Sequence, residues 1–383
     1  MSNKFPIFFL LNSFIFLIAF LYGADFGLYK SDYFLAHSIA MDHLHTGNDL
    51  IGQIRDIPNS ASGVLPLWLY GFFSGLIIHK FITFVIFLYV LFLIYIKTHK
   101  KSPAFGYLFM STLLISPSMI SSVTWCLPEI FTLAVFYTLV SLEDKYQFIR
   151  YFLAFITPLS RQTFIAMIFS QIIYNKNLKE IFYQLIFATI GLLMLIKIWG
   201  GLVPPSKMDM HTNPSLKSFI MSQLIFSLYF LASNIENLFK GAAVLNPKKF
   251  VIFLFLSSVI IFVNLQLDAL AFGGFIFSRL EDISLPISFL IETVCLAFYL
   301  YFSKRDIILF TLICSITLAT TNLLFVKYTD FFIFSFLALG LNQYKNEKMT
   351  QYAKSILLFQ YFNFLLMNVR YPSFYKNVIN SLV

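Results

Sequence analysis

The chain has 383 residues, of which 59% are hydrophobic, 49 are phenylalanine and only 12% are charged. Its mean hydropathy of +0.79 excludes a water-soluble globular protein, because such a protein surrounds its core with polar residues. The net charge of +9 does not indicate nucleic acid as a partner, since the cationic residues are spread over short loops between apolar runs, as the positive-inside rule predicts.

The apolar runs predict an all-α polytopic membrane protein whose partner is the lipid bilayer. A spanning helix needs roughly 20 residues, and the pattern of runs and loops predicts about 11–14 spans. Lys4 precedes the first run and no small-residue cleavage site follows it, which predicts a retained span with the N-terminus inside. No repeat or long linker is visible, so residues 1–383 are interpreted as one membrane domain. The runs that approach or reach spanning length are residues 5–22, 81–96, 181–203, 250–265, 285–302 and 307–326.

The longest polar stretch, residues 23–63, follows the first run and is predicted to form the first outer loop. Within it, Leu35, Ile39 and Met41 have helical apolar spacing, which predicts an interfacial helix. Asp32 lies at the start of this helix. It is a candidate general base towards a hydroxyl acceptor, and the alternative is that it only caps the helix.

The same loop holds a cluster of possible metal ligands, namely His37, Asp42, His43 and His45. His43 and His45 face different ways on a helix because they are two positions apart, and no His-x-x-x-His or His-Glu-x-x-His pattern is present. The three cysteines of the chain are far apart and lack Cys-x-x-Cys spacing. We therefore predict neither a metal site nor a disulfide framework.

Two segments fit poorly as ordinary spans. Residues 64–79 are short and are predicted to form a helix on or in the outer leaflet. Residues 151–174 are interrupted around Pro158 and Arg161, so the chain is predicted to rise, turn near the outer half of the membrane and return. An arginine at such a turn is tolerated only where protein or a water-filled cavity receives it, so Arg161 is predicted to point into a site.

Ionisable residues in or near apolar segments are costly, and each is a functional candidate unless it forms a buried pair that fixes helix packing. Those that face the outer side as cations would suit a phosphate carried on a lipid, because arginine and lysine form charge-assisted hydrogen bonds with phosphate oxygens. The acidic candidates are Glu129 and Asp268, and the cationic ones are Arg161, Lys207, Arg279 and Lys327.

Four segments carry short motifs in a fixed order: Ser31-Asp32-Tyr33-Phe34 with His37, Pro66-Leu67-Trp68-Leu69-Tyr70, Ser160-Arg161-Gln162-Thr163, and Trp199-Gly200-Gly201-Leu202-Val203 followed by Lys207 and His211. They resemble, in that order, the Met-Asp-Glu-x-Phe-His, Pro-Gly-Leu-Tyr, Arg-Gln-Thr-Asn and Gly-Gly-x-Val-x-Gly-Asp-Lys-x-x-His motifs of the dolichyl-phosphoglucose-dependent alpha-1,2-glucosyltransferase family. Glu129, Gln223 and Lys327 are weaker matches. The chain thus resembles the GT-C class of integral-membrane glycosyltransferases, to which that family belongs.

The resemblance implies a GT-C-like bundle that transfers a hexose, with glucose favoured, from a polyprenyl-phosphate carrier to a lipid-linked or surface glycan. It implies inversion at the sugar, an active site on the outer or luminal face and no cofactor or metal. Asp32 would be the catalytic base. Arg161, Lys207 and Lys327 would hold the donor phosphate, and the sugar or acceptor contacts would be His37, Glu129, Gln162, His211 and Gln223.

Four positions depart from the family pattern. Tyr33 replaces the second acidic residue, Phe164 replaces the Asn after Arg-Gln-Thr, and Pro204-Pro205 replaces Gly-Asp. These departures concern the sugar and the acceptor more than the reaction type. The richness in Phe, Ile, Lys and Asn is typical of an AT-rich genome and favours a bacterial cytoplasmic (inner) membrane, with the endoplasmic reticulum as the eukaryotic counterpart.

Two other functions share the polytopic pattern. A polysaccharide polymerase would consume pyrophosphate-linked oligosaccharides, and it usually places its largest loop later in the chain. A transporter or lipid-linked-sugar flippase would have pseudo-symmetric halves with interrupted helices in matching positions, and the sequence has one such interruption, at Pro158.

Overall fold

A computed structural model of the chain describes residues 4–26, 29–58, 63–173, 177–207, 215–239, 246–267, 284–319, 326–342 and 347–370. Helices form nearly all of this part of the chain, and it contains no strand. The all-α prediction is therefore confirmed. Asp268, Arg279 and His211 lie outside the described residues.

The contacts divide the chain into two compact units. The first comprises Met1–Met208, Phe334–Ala353 and Gln360–Val383, and the second comprises Asp209–Ile333 and Lys354–Phe359. The single membrane domain expected from the sequence stays a prediction.

The first unit contains many short helices because prolines and polar loops interrupt its apolar runs. Pro103 and Pro117, for example, stand at the first positions of two successive helices, where the missing N–H of proline is not needed. The helices are α1 (Lys4–Leu21), α2 (Tyr29–Asp32), α3 (Ser38–His43), α4 (Leu50–Arg55), α5 (Val64–Gly71), α6 (Leu76–Thr98), α7 (Pro103–Ile115), α8 (Pro117–Thr124), α9 (Glu129–Ser141), α10 (Gln147–Ser160), α11 (Ile165–Ser170) and α12 (Leu178–Trp199).

The second unit is built from longer helices, among which α14 packs on α15 and α13 packs on both α15 and α16. Two C-terminal helices, α17 and α18, contribute residues to both units. The bounds are α13 (Leu216–Phe239), α14 (Pro247–Gln266), α15 (Leu285–Phe302), α16 (Arg305–Leu318), α17 (Val326–Leu339) and α18 (Glu347–Arg370).

Five described helices are long and apolar enough to cross a membrane, namely α6, α12, α13, α14 and α15, and α7 with α8 makes a sixth if this pair, bent by 64°, is one span. The run predicted over 285–302 agrees with α15 at both ends. The run predicted over 307–326 yields only α16, and residues 320–325 lie outside the described part. The count of about 11–14 spans stays a prediction.

The outer faces of these helices are apolar. Ile77 on α6 is 84% exposed and Phe255 on α14 is 66% exposed. Water would penalise so much exposed apolar surface, whereas lipid tails accept it. The helices are therefore compatible with an integral multi-pass membrane protein.

Residues 64–79 do not form the single helix predicted for them. The chain leaves helical structure after α5, passes through Gly75 at a φ of +95°, and starts α6 at Leu76. A positive φ of this size favours glycine and is not helical, so Gly75 stands just before the first residue of α6. His79 therefore belongs to the first turn of a long apolar helix.

The predicted interruption of residues 151–174 is confirmed at Arg161. Helix α10 ends at Ser160, Arg161 is extended, and a 3₁₀ turn, Gln162–Phe164, leads into α11. Proline in the last turn of α10 and the polar residues behind it explain the break, because Pro158 cannot donate to the helical ladder.

Helices α10 and α12 approach each other closely at Gly191. A Cβ at this position would lie 2.5 Å from the carbonyl oxygen of Phe155 and 3.1 Å from Cγ of Pro158. The absent side chain therefore sets the spacing between α12 and the end of α10 that carries the break.

Replacing Gly191 by alanine should lower the stability of the first unit by about 1–3 kcal/mol, because the backbone of Phe155 cannot move away cheaply. The measurement is the midpoint of thermal unfolding of the purified protein in detergent. Leu193→Ala on the exposed side of the same helix, where Leu193 is 55% exposed, is the matched control and should change the midpoint little. Equal midpoints for Gly191→Ala and the native protein would contradict the close approach.

Candidate active site

The predicted first outer loop, residues 23–63, contains one continuous helical run over residues 29–43. Helix α2 passes through a π turn, Tyr33–His37, into α3. The carboxylate of Asp25 accepts hydrogen bonds from the backbone N–H groups of Tyr29 (3.2 Å) and Lys30 (3.3 Å), which begin the run. Asp32 lies inside the run and makes no capping hydrogen bond, so the interpretation of Asp32 as the helix cap is wrong and Asp25 has that role.

This helical run has one buried and one exposed apolar side. Met41 is 1% exposed, whereas Leu35 is 66% and Ile39 is 42% exposed. An amphipathic helix at a membrane surface needs such an outward apolar face, so the geometry is compatible with the predicted interfacial helix. Asp32 is half-buried between the two sides.

Buried apolar side chains join the run to four other parts of the first unit. Tyr33 and Met41 pack in one cluster with α5, with the start of α6, with residues 125–127 and with the end of α12. Leu159 packs against this cluster. The cluster explains how Asp32, Glu129 and Arg161, which are neighbours in sequence of Tyr33, Leu127 and Leu159, come to border the same core.

The end of the first outer loop closes directly on the break before Arg161. A Cβ on Gly63 would overlap the carbonyl oxygen of Ser160 and lie 2.6 Å from the carbonyl oxygen of Leu159. Only glycine permits two backbones to approach so closely. The loop is therefore anchored at the position where the arginine leaves helix α10.

Glu129 and Arg161 form a buried ion pair. Nη1 of Arg161 donates to Oε1 of Glu129, and the two residues are 9% and 1% exposed, respectively. Glu129 begins α9, where the positive end of the helix dipole favours a carboxylate. Oε2 of Glu129 has no hydrogen-bond partner among the described residues.

The carboxylate of a second buried pair in this unit, Glu180 with Arg150, has a hydrogen-bond partner for each of its oxygens. Glu180 accepts from the hydroxyl of Tyr151 (2.8 Å) and from Nε2 of Gln184 (3.1 Å), and Nε of Arg150 lies 3.6 Å from the same carboxylate. Every oxygen of Glu180 thus has a partner, which is typical of a brace between α10 and α12. Glu129 differs, since one of its oxygens is left to accept a further donor.

The other predicted site residues of the first unit are placed as follows. His37 is buried at 5% exposure, and Gln162 is half-buried with its Nε2 lacking a hydrogen-bond partner in the described part of the chain. Lys207 ends a 3₁₀ turn, Pro205–Lys207, in which Ser206 donates to the carbonyl oxygen of Ile57 (2.9 Å). This bond brings the turn beside the first outer loop, while the side chain of Lys207 lies outside the described atoms.

Gln223 and Lys327 belong to the second unit. Nε2 of Gln223 donates to Oγ of Ser315 (2.8 Å), and Thr311 donates to its Oε1 (3.4 Å). These bonds link α13 to α16. Lys327 lies in the first turn of α17, and its side chain is outside the described part. The roles of both residues stay predictions.

The sequence analysis missed His79. Nε2 of His79 faces the carbonyl oxygens of Tyr70 (3.0 Å) and Phe73 (2.8 Å), and because carbonyls only accept, this nitrogen carries the proton. The hydroxyl of Tyr33 then donates to Nδ1 (2.8 Å). Burial, with smaller effects from Cys126 and Asp42, raises the pKa of Tyr33 to about 12, so the phenol keeps its proton.

Lys30 and Lys80 were also missed. Their ammonium groups lie 5.5 Å and 4.6 Å from the centre of the Trp125 ring, and the indole N–H donates to the carbonyl oxygen of Ala24 (3.2 Å). A signal was present, because Lys80 is an ionisable residue within an apolar helix. Lys80 was overlooked because the predicted apolar segments were residues 64–79 and 81–96, which left Lys80 in neither of them.

In the described part of the chain, no group of three or more His, Cys, Asp or Glu side chains could hold a metal ion, and the three cysteines are free thiols.

Comparisons of the chain with protein-family models, with curated proteins and with solved structures found no match.

Replacing Glu129 by glutamine should destabilise the protein by about 3–5 kcal/mol, because it leaves the buried guanidinium of Arg161 without its counter-charge. Thermal unfolding in detergent measures the change. The control is Glu143→Gln, whose partner Lys145 is 2.8 Å away on an exposed surface, and it should have little effect.

The double variant Glu129→Gln/Arg161→Gln should regain part of the loss, because it removes both buried charges. If the single Glu129→Gln variant were as stable as the native protein, the assignment of a buried ion pair would be contradicted.

Proposed function

We propose that the protein is an integral-membrane glycosyltransferase that moves a hexose, with glucose favoured, from polyprenyl phosphate to a lipid-linked or surface glycan. The observation that carries the proposal is that the Asp-rich first outer loop is anchored, through Gly63, at the break that presents the buried Arg161–Glu129 pair. A half-buried carboxylate and a buried guanidinium thus border one core. The finer topology, a GT-C-like bundle of about 11–14 spans, is part of the proposal.

Asp32 is the general base of the proposed reaction. It removes the proton from the acceptor hydroxyl as that oxygen forms its bond to carbon 1 of the sugar. The bond between carbon 1 and the phosphate oxygen breaks in the same step, and its electron pair stays on the phosphate. Attack from the side opposite the leaving group inverts carbon 1.

Arg161 supplies positive charge towards the departing phosphate in this proposal. Glu129 holds the guanidinium in place. In the proposed complex, Oε2 of Glu129 accepts a hydrogen bond from a hydroxyl of the sugar or the acceptor. A fixed cation in a site with little water stabilises developing negative charge more than a mobile one, because no reorganisation is needed at the moment of reaction.

The setting of the site supports an outer-face location. The first outer loop follows α1, and its helical run has an outward apolar face. A polyprenyl chain would lie in the bilayer with its phosphate at this level. We place the protein in a bacterial cytoplasmic membrane, or in the endoplasmic reticulum membrane of a eukaryote.

The transporter alternative is less well supported. Among the described residues, helical segments are interrupted at the bend between α7 and α8 and at Arg161. Both belong to the first compact unit. Inverted repeats would instead put the interruptions in matching positions of two halves.

Replacing Asp32 by asparagine should reduce transfer by on the order of a hundredfold or more while leaving the protein folded, because asparagine fills the same volume and cannot take the proton. The measurement is release of polyprenyl phosphate from synthetic polyprenyl-phosphate glucose by purified protein in detergent, with host lipid extract as the acceptor.

The matched control is Asp56→Asn in the same loop, where Asp56 pairs with Arg55 (2.9 Å) on an exposed surface. This variant should transfer at the native rate. Native-rate transfer by Asp32→Asn would refute the role of Asp32 as the base.

A further inference from the structure

We propose that Lys30, Lys80 and Trp125 form a binding site for a phosphoryl anion carried on a lipid chain. The inference deepens the proposed function and rests on it for the identity of the carrier as a polyprenyl phosphate. It adds to Arg161 two contacts for the donor phosphate that the sequence motifs did not indicate.

The platform of the site is a fixed indole ring. Trp125 is 6% exposed, its N–H is held by the carbonyl oxygen of Ala24, and the ring of Phe34 packs against it at 6.3 Å between ring centres. Trp125 belongs to the buried cluster that joins the first outer loop to α5 and α6. The ring therefore cannot turn away from groups that approach its surface.

Two like charges converge on this ring. Lys30 comes from α2 and Lys80 from near the start of α6, and both ammonium groups contact the same indole. The positive charge of Lys30 acts on Lys80, and the two ammonium groups repel each other because their charges are alike. Each is attracted to the ring, but a shared ring does not neutralise their charge.

No described carboxylate forms an ion pair with either lysine. The thiol of Cys126 acts electrostatically on Lys80. Burial raises the pKa of this thiol to about 12, so it carries no negative charge near neutral pH. An exposed lysine, Lys30, and a half-buried one, Lys80, thus place two positive charges beside one fixed ring, which suits a phosphate that becomes dianionic as it leaves the sugar.

Exposed apolar side chains beside the two lysines favour a lipid as the carrier of the anion. Leu35 follows Lys30 on the same helical run at 66% exposure, and Ile77 and Phe81 flank Lys80 on α6 at 84% and 66% exposure. An apolar chain attached to the phosphate would cover these side chains. A lysine near the start of a spanning helix reaches the level of lipid headgroups.

The location also suits the proposed chemistry. Lys30 and Asp32 belong to the same short helix, α2, so the lysine pair and the proposed general base lie on one helical run, although side chains two positions apart leave the helix in different directions. As the bond between carbon 1 and the phosphate oxygen breaks, the phosphate gains negative charge, and the two ammonium groups would stabilise it.

The test is binding without turnover. Radiolabelled polyprenyl phosphate is titrated onto the purified full-length protein in detergent with no acceptor present. The double variant Lys30→Gln/Lys80→Gln should lose about tenfold or more in affinity, since two charge-assisted contacts are removed. The double variant Lys30→Arg/Lys80→Arg, which keeps both charges, should retain most of the binding.

The matched control is Lys97→Gln, because Lys97 lies at the other end of α6 and is half-buried like Lys80. It should bind as the native protein does. Lys30→Gln alone changes an exposed side chain, so its loss of affinity would not come from misfolding. Native affinity in the Gln double variant would overturn the site.

Two further ligands separate the sources of the anion. Neutral polyprenol should bind at least about tenfold more weakly than polyprenyl phosphate, as should inorganic phosphate alone. Equal binding of inorganic phosphate would overturn the lipid part of the inference, and equal binding of polyprenol would overturn the anion part. Binding that depends on the lysines in a protein with no transferase activity would refute the proposed function and leave this site standing.

Discussion

The buried pair between Glu129 and Arg161 is the constraint on which the arrangement of the first unit depends. A charge removed from water must find a partner, so the end of α10 has to deliver Arg161 to the start of α9. This fixes the direction in which the chain leaves α10. Gly63 packs directly against the backbone of Ser160, so the first outer loop contacts the end of α10 next to Arg161.

Hydrophobic length and helix-breaking residues allowed much of the fold to be predicted. The span over residues 285–302 needed only an uninterrupted apolar run between polar ends, and both ends were correct. The break at Arg161 followed from Pro158 and the polar residues after it. Asp32 was wrongly offered as a cap because the helical run starts earlier, at Tyr29, where Asp25 reaches the first N–H groups.

The rest depends on contacts between distant parts of the chain. Lys30, Lys80 and Trp125 lie on three separate elements, and a cation above an aromatic ring has no sequence spacing that would reveal it. The bond between Tyr33 and His79 likewise joins residues 46 positions apart. Periodicity reports only the face of one helix, so pairing between elements could not be predicted from it. The orphan oxygen of Glu129 also appears only once the packing is known.

The central claim is that this site consumes a sugar carried on a polyprenyl monophosphate. The most direct measurement offers the native protein two labelled donors, polyprenyl-phosphate glucose and a pyrophosphate-linked oligosaccharide, and follows the released lipid. The account predicts release of polyprenyl phosphate from the first donor and no consumption of the second. Consumption of the pyrophosphate donor alone, or binding of both donors without release from either, would contradict it.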